Sequence, residues 1–145
     1  MLKGIPNIIS PDLLKALSQM GHGDELVIAD GNFPAESIGK NSIVIRADGH
    51  GVPEVLDAVL ALLPLDSYVE KPVSLMAVAE GDSCGTPSIW EIYKTILQKH
   101  EPENNGIDML ERFAFYEKAR DAYLIIATGE TAVYANIMLQ KGVVV

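Results

Sequence analysis

Apolar positions along the chain recur with two alternating rhythms, one helical and one extended. After Ser10-Pro11-Asp12, residues Leu13, Leu14, Leu17 and Met20 fall on one face and Gly21 closes the segment, so the spacing predicts a helix over Pro11–Met20. Leu26-Val27-Ile28-Ala29 and Ile43-Val44-Ile45 are short unbroken apolar runs that read as strands buried on both faces, and each leads into an Asp-Gly pair. Pro53 opens a second helix with Val55, Leu56, Val59, Leu60 and Leu63 inward, and Pro64 ends it. A strand is expected over Val73–Ala79. Thr86-Pro87 then reads as cap and first-turn proline of a helix carrying Ile89, Ile92, Tyr93, Ile96 and Leu97, with His100 near its end.

Glu101–Gly106, with a proline, two asparagines and a glycine, is an exposed loop. Beyond it the pattern predicts a strand at Ile107–Leu110, a short helix at Phe113–Arg120 and a strand at Tyr123–Thr128 that stops at Gly129. The tail Asn136–Val145 reads as a terminal strand pair or a sheet edge. Such alternation predicts an α/β fold around a largely parallel sheet. The only internal echo is VIADG at Val27–Gly31 against VIRADG at Val44–Gly49.

Composition narrows the function classes. A chain of 145 residues with 48% hydrophobic content fits a single domain over residues 1–145 with a sizeable core. Its 11 basic and 20 acidic residues give a net charge of −9 without any basic cluster, which argues against nucleic acid as a partner. The single Cys84 forms no internal disulfide and no Cys/His pair has metal-ligand spacing, so a reducing compartment, by default the cytoplasm, is expected. The N-terminus lacks the apolar core of a signal peptide, and no apolar run approaches the ~18 residues of a membrane span. Neither a signal-peptide route nor a membrane is expected.

The densest candidate chemistry lies in MGHGDELVIADGNFP, Met20–Pro34. His22 sits between two glycines at a helix-to-strand break, and an imidazole titrates near neutrality, so it can give and take a proton. Asp30 closes the following apolar run, at the end of a strand where α/β proteins hold ligands. The segment predicts that the two share one cavity. His50, also between glycines, competes with His22 on equal terms, whereas His100 is explained by the helix macrodipole. Asp30 and Asp48 each precede glycine and could accept sugar-like hydroxyls or simply make Asp-Gly turns. Arg112 before Phe113, Phe115 and Tyr116 suits a planar or hydroxyl-rich ligand, or a surface ion pair over core aromatics. Tyr134-Ala135-Asn136 offers a phenol and an amide that share a face if extended; the alternative is a turn before a strand. GxGxxG, P-loop, GxSxG and HExxH motifs are missing, and a reaction that needs only proton transfer fits what remains.

GHGDELVIADGNFP, RADG, RFAFYEKA, TGE and YANIMLQKGV occur in this order across nearly the whole chain. Together they resemble the RbsD/FucU sugar mutarotases, the family of D-ribose pyranases and L-fucose mutarotases. The resemblance implies a three-layer α/β sandwich with a mixed, mostly parallel sheet flanked by helices. It implies an isomerase without metal or organic cofactor, acting on a monosaccharide, and a ring-shaped homo-oligomer, commonly a decamer of two pentamers, with sites at subunit boundaries. It makes His22 the proton donor, selecting it over His50, with Tyr134 or a water as the complementary group. Asp30, Arg112 and the tripeptide Tyr134, Ala135, Asn136 become substrate-binding. RFAFYE is similar to the fucose branch, making L-fucose the leading substrate, ahead of a D-ribose pyranase or a non-catalytic sugar-binding protein. Phe113, Phe115 or Tyr116 would then supply an apolar patch for the 6-deoxy methyl group.

Overall fold

The computed structural model describes residues 1–145. Six strands, β1 (Glu25–Ala29), β2 (Ile43–Ala47), β3 (Val73–Met76), β4 (Ile107–Leu110), β5 (Leu124–Thr128) and β6 (Ile137–Gln140), form one sheet in the order β2-β5-β1-β6-β3-β4. The β2–β5, β5–β1 and β3–β4 pairs are parallel, and β6 runs antiparallel to both β1 and β3. Five strands therefore point one way and only β6 points back. The helices are α1 (Pro11–Gln19), α2 (Ala35–Ile38), α3 (Val52–Leu60), α4 (Ile89–His100) and α5 (Arg112–Arg120).

Strand alternation builds three layers. Leu26 and Ile28 of β1 and Leu124 and Ile126 of β5 join a core with α1, α3 and α4, while Val27, Ala29, Ile125 and Ala127 face a second core under α2 and α5. Both faces of these strands are covered, which is why their sequences read as unbroken apolar runs. Ile43-Val44-Ile45 has the same composition but a different position. As part of the edge strand β2 it is only partly covered, and Ile43 is 37% exposed, so the expectation of burial on both faces is corrected there.

Local signals explain the helix starts. Ser10 Oγ accepts the Leu13 amide at 3.2 Å, and Pro11 occupies the first turn of α1. Glu111 caps α5, its Oε2 accepting the amides of Phe113 and Ala114 at 3.0 and 3.1 Å. Helix α4 starts at Ile89 and not at Pro87, with Ser88 as cap, and β3 ends at Met76, short of the expected Ala79. The largest correction concerns the tail. Residues 137–140 are neither a strand pair nor an edge but a central strand, and Ile137, Met138 and Leu139 are all at most 1% exposed. A terminal run flanked by polar residues gives no sequence sign of the two neighbours it inserts between. No helix is long and apolar enough to cross a membrane.

Candidate functional site

Because β6 alone is reversed, the ends of β1, β2, β3, β4 and β5 share one edge of the sheet with the start of β6. Asp30 follows β1, Ala79 and Asp82 follow β3, Arg112 follows β4, and Tyr134 and Asn136 precede β6. These residues converge on one cleft of about 280 Å³, joined by Phe33, Met76, Tyr116 and Val133. It lies where an α/β sheet changes direction, a usual place for a ligand, and is slightly smaller than the pockets of drug-sized molecules, which begin near ~300 Å³.

Asp30 forms the floor and is only 7% exposed. Its backbone N–H donates to Asn136 Oδ1 at 2.8 Å, and its Oδ1 accepts the Asn32 amide at 3.0 Å. Burial pushes its carboxyl above the usual range; the amides of Asn32, Ala135 and Phe33 oppose the rise and the charge of Glu130 adds to it. Asp30 thus makes its Asp-Gly turn and also faces the cleft.

Arg112, at the first position of α5, lies over two rings, its guanidinium carbon 5.4 Å from the Tyr116 centroid and 5.5 Å from that of Phe113. Its Nε donates to Tyr116 Oη at 3.3 Å, which leaves the terminal nitrogens free for a ligand.

Tyr134-Ala135-Asn136 is a turn before a strand, and the phenol and amide nevertheless line one cleft. Tyr134 has φ 54°, a conformation that costs a non-glycine residue roughly 1–2 kcal/mol. Helix α4 holds it there: Trp90 Nε1 donates to the Tyr134 carbonyl at 2.8 Å and Tyr93 Oη to the Ala135 carbonyl at 2.6 Å. The Ala135 methyl is fully buried, so this residue offers the site only its backbone, and its amide already serves Asp30. The Tyr134 hydroxyl donates to Asp82 Oδ2 at 2.7 Å and accepts the Ala79 amide at 3.2 Å.

The TGE segment supports the same edge. Thr128 Oγ1 donates to the Ala29 carbonyl at 2.7 Å, and the Glu130 carbonyl accepts the Gly31 amide at 2.8 Å. Glu130 Oε2 takes the Val52 amide at the start of α3 at 3.2 Å. Gly129 runs against Asp48, where any Cβ would overlap the Asp48 carbonyl oxygen.

His22 is elsewhere. It precedes β1, so the length of that strand, roughly 17 Å, separates it from Asp30, and the expected shared cavity does not exist within one chain. Gly23, at φ +86°, turns the chain there, and His22 Nε2 lies 3.1 Å from Asp66 Oδ1 with the Tyr68 ring 5.2 Å away. Asp66 also accepts the Tyr68 amide at 3.0 Å and Gln140 Nε2 at 3.1 Å. Burial raises its carboxyl, but these hydrogen bonds and the neighbouring imidazole outweigh that and hold it below the usual range. An ionised carboxylate only accepts, so Nε2 carries the hydrogen and Nδ1 is the free nitrogen.

The rival groups are engaged away from the cleft: Asp48 with Arg46 at 2.6 Å, His50 with Glu54 at 3.0 Å, and His100 with Asp57 at 2.7 Å. Phe115 is fully buried in the α5 core and Phe113 projects outward, so of the three aromatics proposed for a methyl group only Tyr116 lines the cleft. Asp66 and Asp82 carried no sequence motif. Their one local sign is the spacing to Tyr68 and Cys84, whose amides two residues on close Asx turns. A larger cavity of about 360 Å³ lies between α1, Leu62-Leu63-Pro64 and the C-terminal tail, but it is mostly apolar, and no set of polar groups converges in it.

A small cleft with a carboxylate, a guanidinium stacked on an aromatic ring, a phenol and an amide defines a binder of hydroxyl-rich small molecules. The chain belongs to the RbsD / FucU transport protein family, whose model matches residues 3–144. It is 50% identical to the fucose mutarotase of Homo sapiens over 146 residues, covering 98% of this chain and 94% of that protein. Among solved structures, FucU from Bifidobacterium longum superposes with a TM-score of 0.95 at 60% identity, covering 99% of this chain and 100% of that one. The fucose mutarotase of Streptococcus pneumoniae in complex with L-fucose superposes with a TM-score of 0.92 at 51% identity, with the same coverage. These folds agree with the mixed, mostly parallel α/β sandwich described above.

Proposed function

We propose that this protein is an L-fucose mutarotase, an isomerase that interconverts the α and β anomers by opening and closing the sugar ring. The observation that carries the reading is the convergence of Asp30, Arg112, Tyr134 and Asn136 on one cleft, in a chain about half identical to fucose mutarotases. Asp30, Arg112 and Asn136 hold ring hydroxyls, with the Ala135 backbone shaping the floor. Phe33, Met76, Tyr116 and Val133 supply the apolar wall for the C6 methyl, which replaces the assignment to Phe113 or Phe115.

In the proposed reaction Tyr134 takes the proton of the anomeric hydroxyl while His22, as imidazolium, protonates the ring oxygen. The C1–O5 bond breaks, its electron pair goes to O5, and the O1–H pair becomes the second C1–O1 bond. Rotation about C1–C2 and closure from the other face, with both protons returned, give the other anomer. No metal or organic cofactor enters these steps.

Since His22 is remote from the cleft of its own chain, it is supplied by a neighbouring copy, in a homo-oligomeric ring that we take to be a decamer. The exposed Phe113, Val133 and Met109 near the cleft end and the exposed Tyr68 beside His22 support such contacts. On this reading residues 1–145 act as one cytoplasmic domain whose partners are the sugar and copies of itself.

Saturation-transfer NMR of L-fucose anomers, run in parallel with D-ribose, tests the assignment. Accelerated exchange is expected for L-fucose above D-ribose. L-Galactose, which carries a hydroxyl on C6, should exchange more slowly than L-fucose; equal rates would remove the methyl wall from the account. Sugar binding without accelerated exchange of any aldose would make the protein a sugar-binding module instead.

A further inference from the structure

We propose that Asp82 is a positioning residue that sets the hydrogen-bond polarity of Tyr134, turning the phenolic proton away from the sugar so that Tyr134 meets the anomeric hydroxyl as an acceptor. The proposal rests on the mutarotase reading for its catalytic consequence, and on geometry alone for its effect on binding.

Asp82 lies in the loop between β3 and α4, flanked by Gly81 at φ +84° and Gly85 at φ +71°. Its two carboxylate oxygens have different tasks. Oδ1 accepts the Cys84 amide at 2.9 Å in an Asx turn, which fixes the side-chain orientation, and Oδ2 accepts the Tyr134 hydroxyl at 2.7 Å. The Ala79 amide donates to the same phenol oxygen at 3.2 Å. The phenolic hydrogen is therefore committed to Asp82, and one of the oxygen's acceptor positions is filled by backbone. What remains is an acceptor position, and Tyr134 lines the cleft with Asp30, Arg112 and Asn136. A sugar hydroxyl must donate to it.

During ring opening the same pair completes a relay. The O1 proton moves to Tyr134 Oη as the phenolic proton moves to Asp82 Oδ2, so the phenol is never left as a phenolate, and both transfers reverse on closure. A free phenol would have to keep a proton and take one at once.

The Asx turn makes the isosteric substitution unusually informative. In Asp82→Asn only the side-chain oxygen can accept the Cys84 amide, so the NH2 group faces Tyr134 and donates to its oxygen. With Ala79 and the new amide both donating, the phenolic hydrogen is forced into the cleft and Tyr134 becomes a donor. Asp82→Ala removes the partner but leaves an acceptor position open, and water can take the proton. A merely structural role predicts the opposite ranking, with alanine worse than asparagine.

The experiment measures L-fucose anomer exchange by saturation-transfer NMR, and affinity for L-fucose and for methyl α-L-fucoside by calorimetry, in wild type, Asp82→Asn and Asp82→Ala. Exchange should fall about 100-fold in D82N, the lower end of general acid–base contributions, and about tenfold in D82A, where water partly replaces the carboxylate. Wild type should bind L-fucose more tightly than the fucoside, whose anomeric oxygen has no hydrogen to donate, and D82N should lose about tenfold of that preference, the equivalent of ~1.4 kcal/mol. D82A as slow as or slower than D82N, together with an unchanged fucose-to-fucoside preference, would overturn the proposal. Wild type that binds both sugars but does not accelerate exchange would remove the mutarotase reading, and the preference of D82N would still decide the polarity of Tyr134.

Discussion

His22 and Asp66 are the exposed and the buried end of one hydrogen bond: Nε2 lies 3.1 Å from Oδ1, the imidazole side chain is 47% exposed and the carboxylate 2%. The Tyr68 amide shares Oδ1 with the imidazole and Gln140 Nε2 holds Oδ2, so the carboxylate fixes the ring while Nδ1 stays available. This is the arrangement a surface acid needs if it is to serve a cleft other than its own.

Asp66→Asn should slow L-fucose exchange by about tenfold, less than the ~100-fold or more that loss of the general acid itself costs, because the imidazole remains and only its orientation is weakened. Leaving the buried amide partners poorly matched should also cost ~1–3 kcal/mol of stability at pH 7. Because this carboxyl is held below its usual range, the stability it contributes is present above the unfolded value of 3.8 and is lost as the pH falls through the lower folded value. Urea midpoints of the two proteins should therefore converge in acid. A constant gap from pH 7 to pH 2 would contradict the assignment.

Asp30 behaves in the opposite sense. Burial raises its carboxyl above 3.8, so the native state favours the neutral form, and the stability it adds is greatest below that value and is lost as the pH rises through the folded pKa. The stability of wild type relative to Asp30→Asn should accordingly decline as the pH rises from 3.8 through the raised folded value. L-Fucose affinity, which uses the ionised carboxylate, should rise over the same window and show no such limb in Asp30→Asn. Affinity that stays flat down to pH 4 in wild type would exclude Asp30 as the hydroxyl acceptor.

Gly129→Ala places a methyl group into the Asp48 carbonyl, backbone against backbone, where no side chain can swing aside. Overpacking of this kind costs ~1–3 kcal/mol. The shift should also disturb Thr128 and the Glu130 cap of α3, so thermal unfolding should occur several degrees lower. A melting temperature equal to that of wild type would show that the Asp48 turn yields at little cost.

Periodicity made most of the layering legible in the sequence. Tyr123–Thr128 reads as a strand and Leu26–Ala29 as a doubly covered one; both are central, with Tyr123 just outside β5. Ile43–Ile45 reads the same and is an edge, because apolar content reports burial propensity and not the number of neighbours. The reversal of β6 was not legible, and it is the feature that brings Tyr134 and Asn136 to the Asp30 edge. Asp30, Arg112, Tyr134 and Asn136 were legible one by one, through residue type and resemblance. Their common cleft depends on strand order, which local sequence does not encode. His22 and Asp30, eight residues apart, invited the inference of one cavity; an extended strand between them carries them to opposite ends of the sheet.

The composite site is tested most directly by complementation between His22→Ala and Asp30→Asn. Each variant alone should fail to accelerate L-fucose anomer exchange, since every site then lacks either its donor or its anchor. Co-expressed in equal amounts, so that subunits assemble at random, they should recover about a quarter of wild-type exchange by saturation-transfer NMR, because one site in four pairs an intact His22 with an intact Asp30. Exchange in the mixed assemblies no greater than the mean of the two parents would contradict a site shared between neighbouring chains.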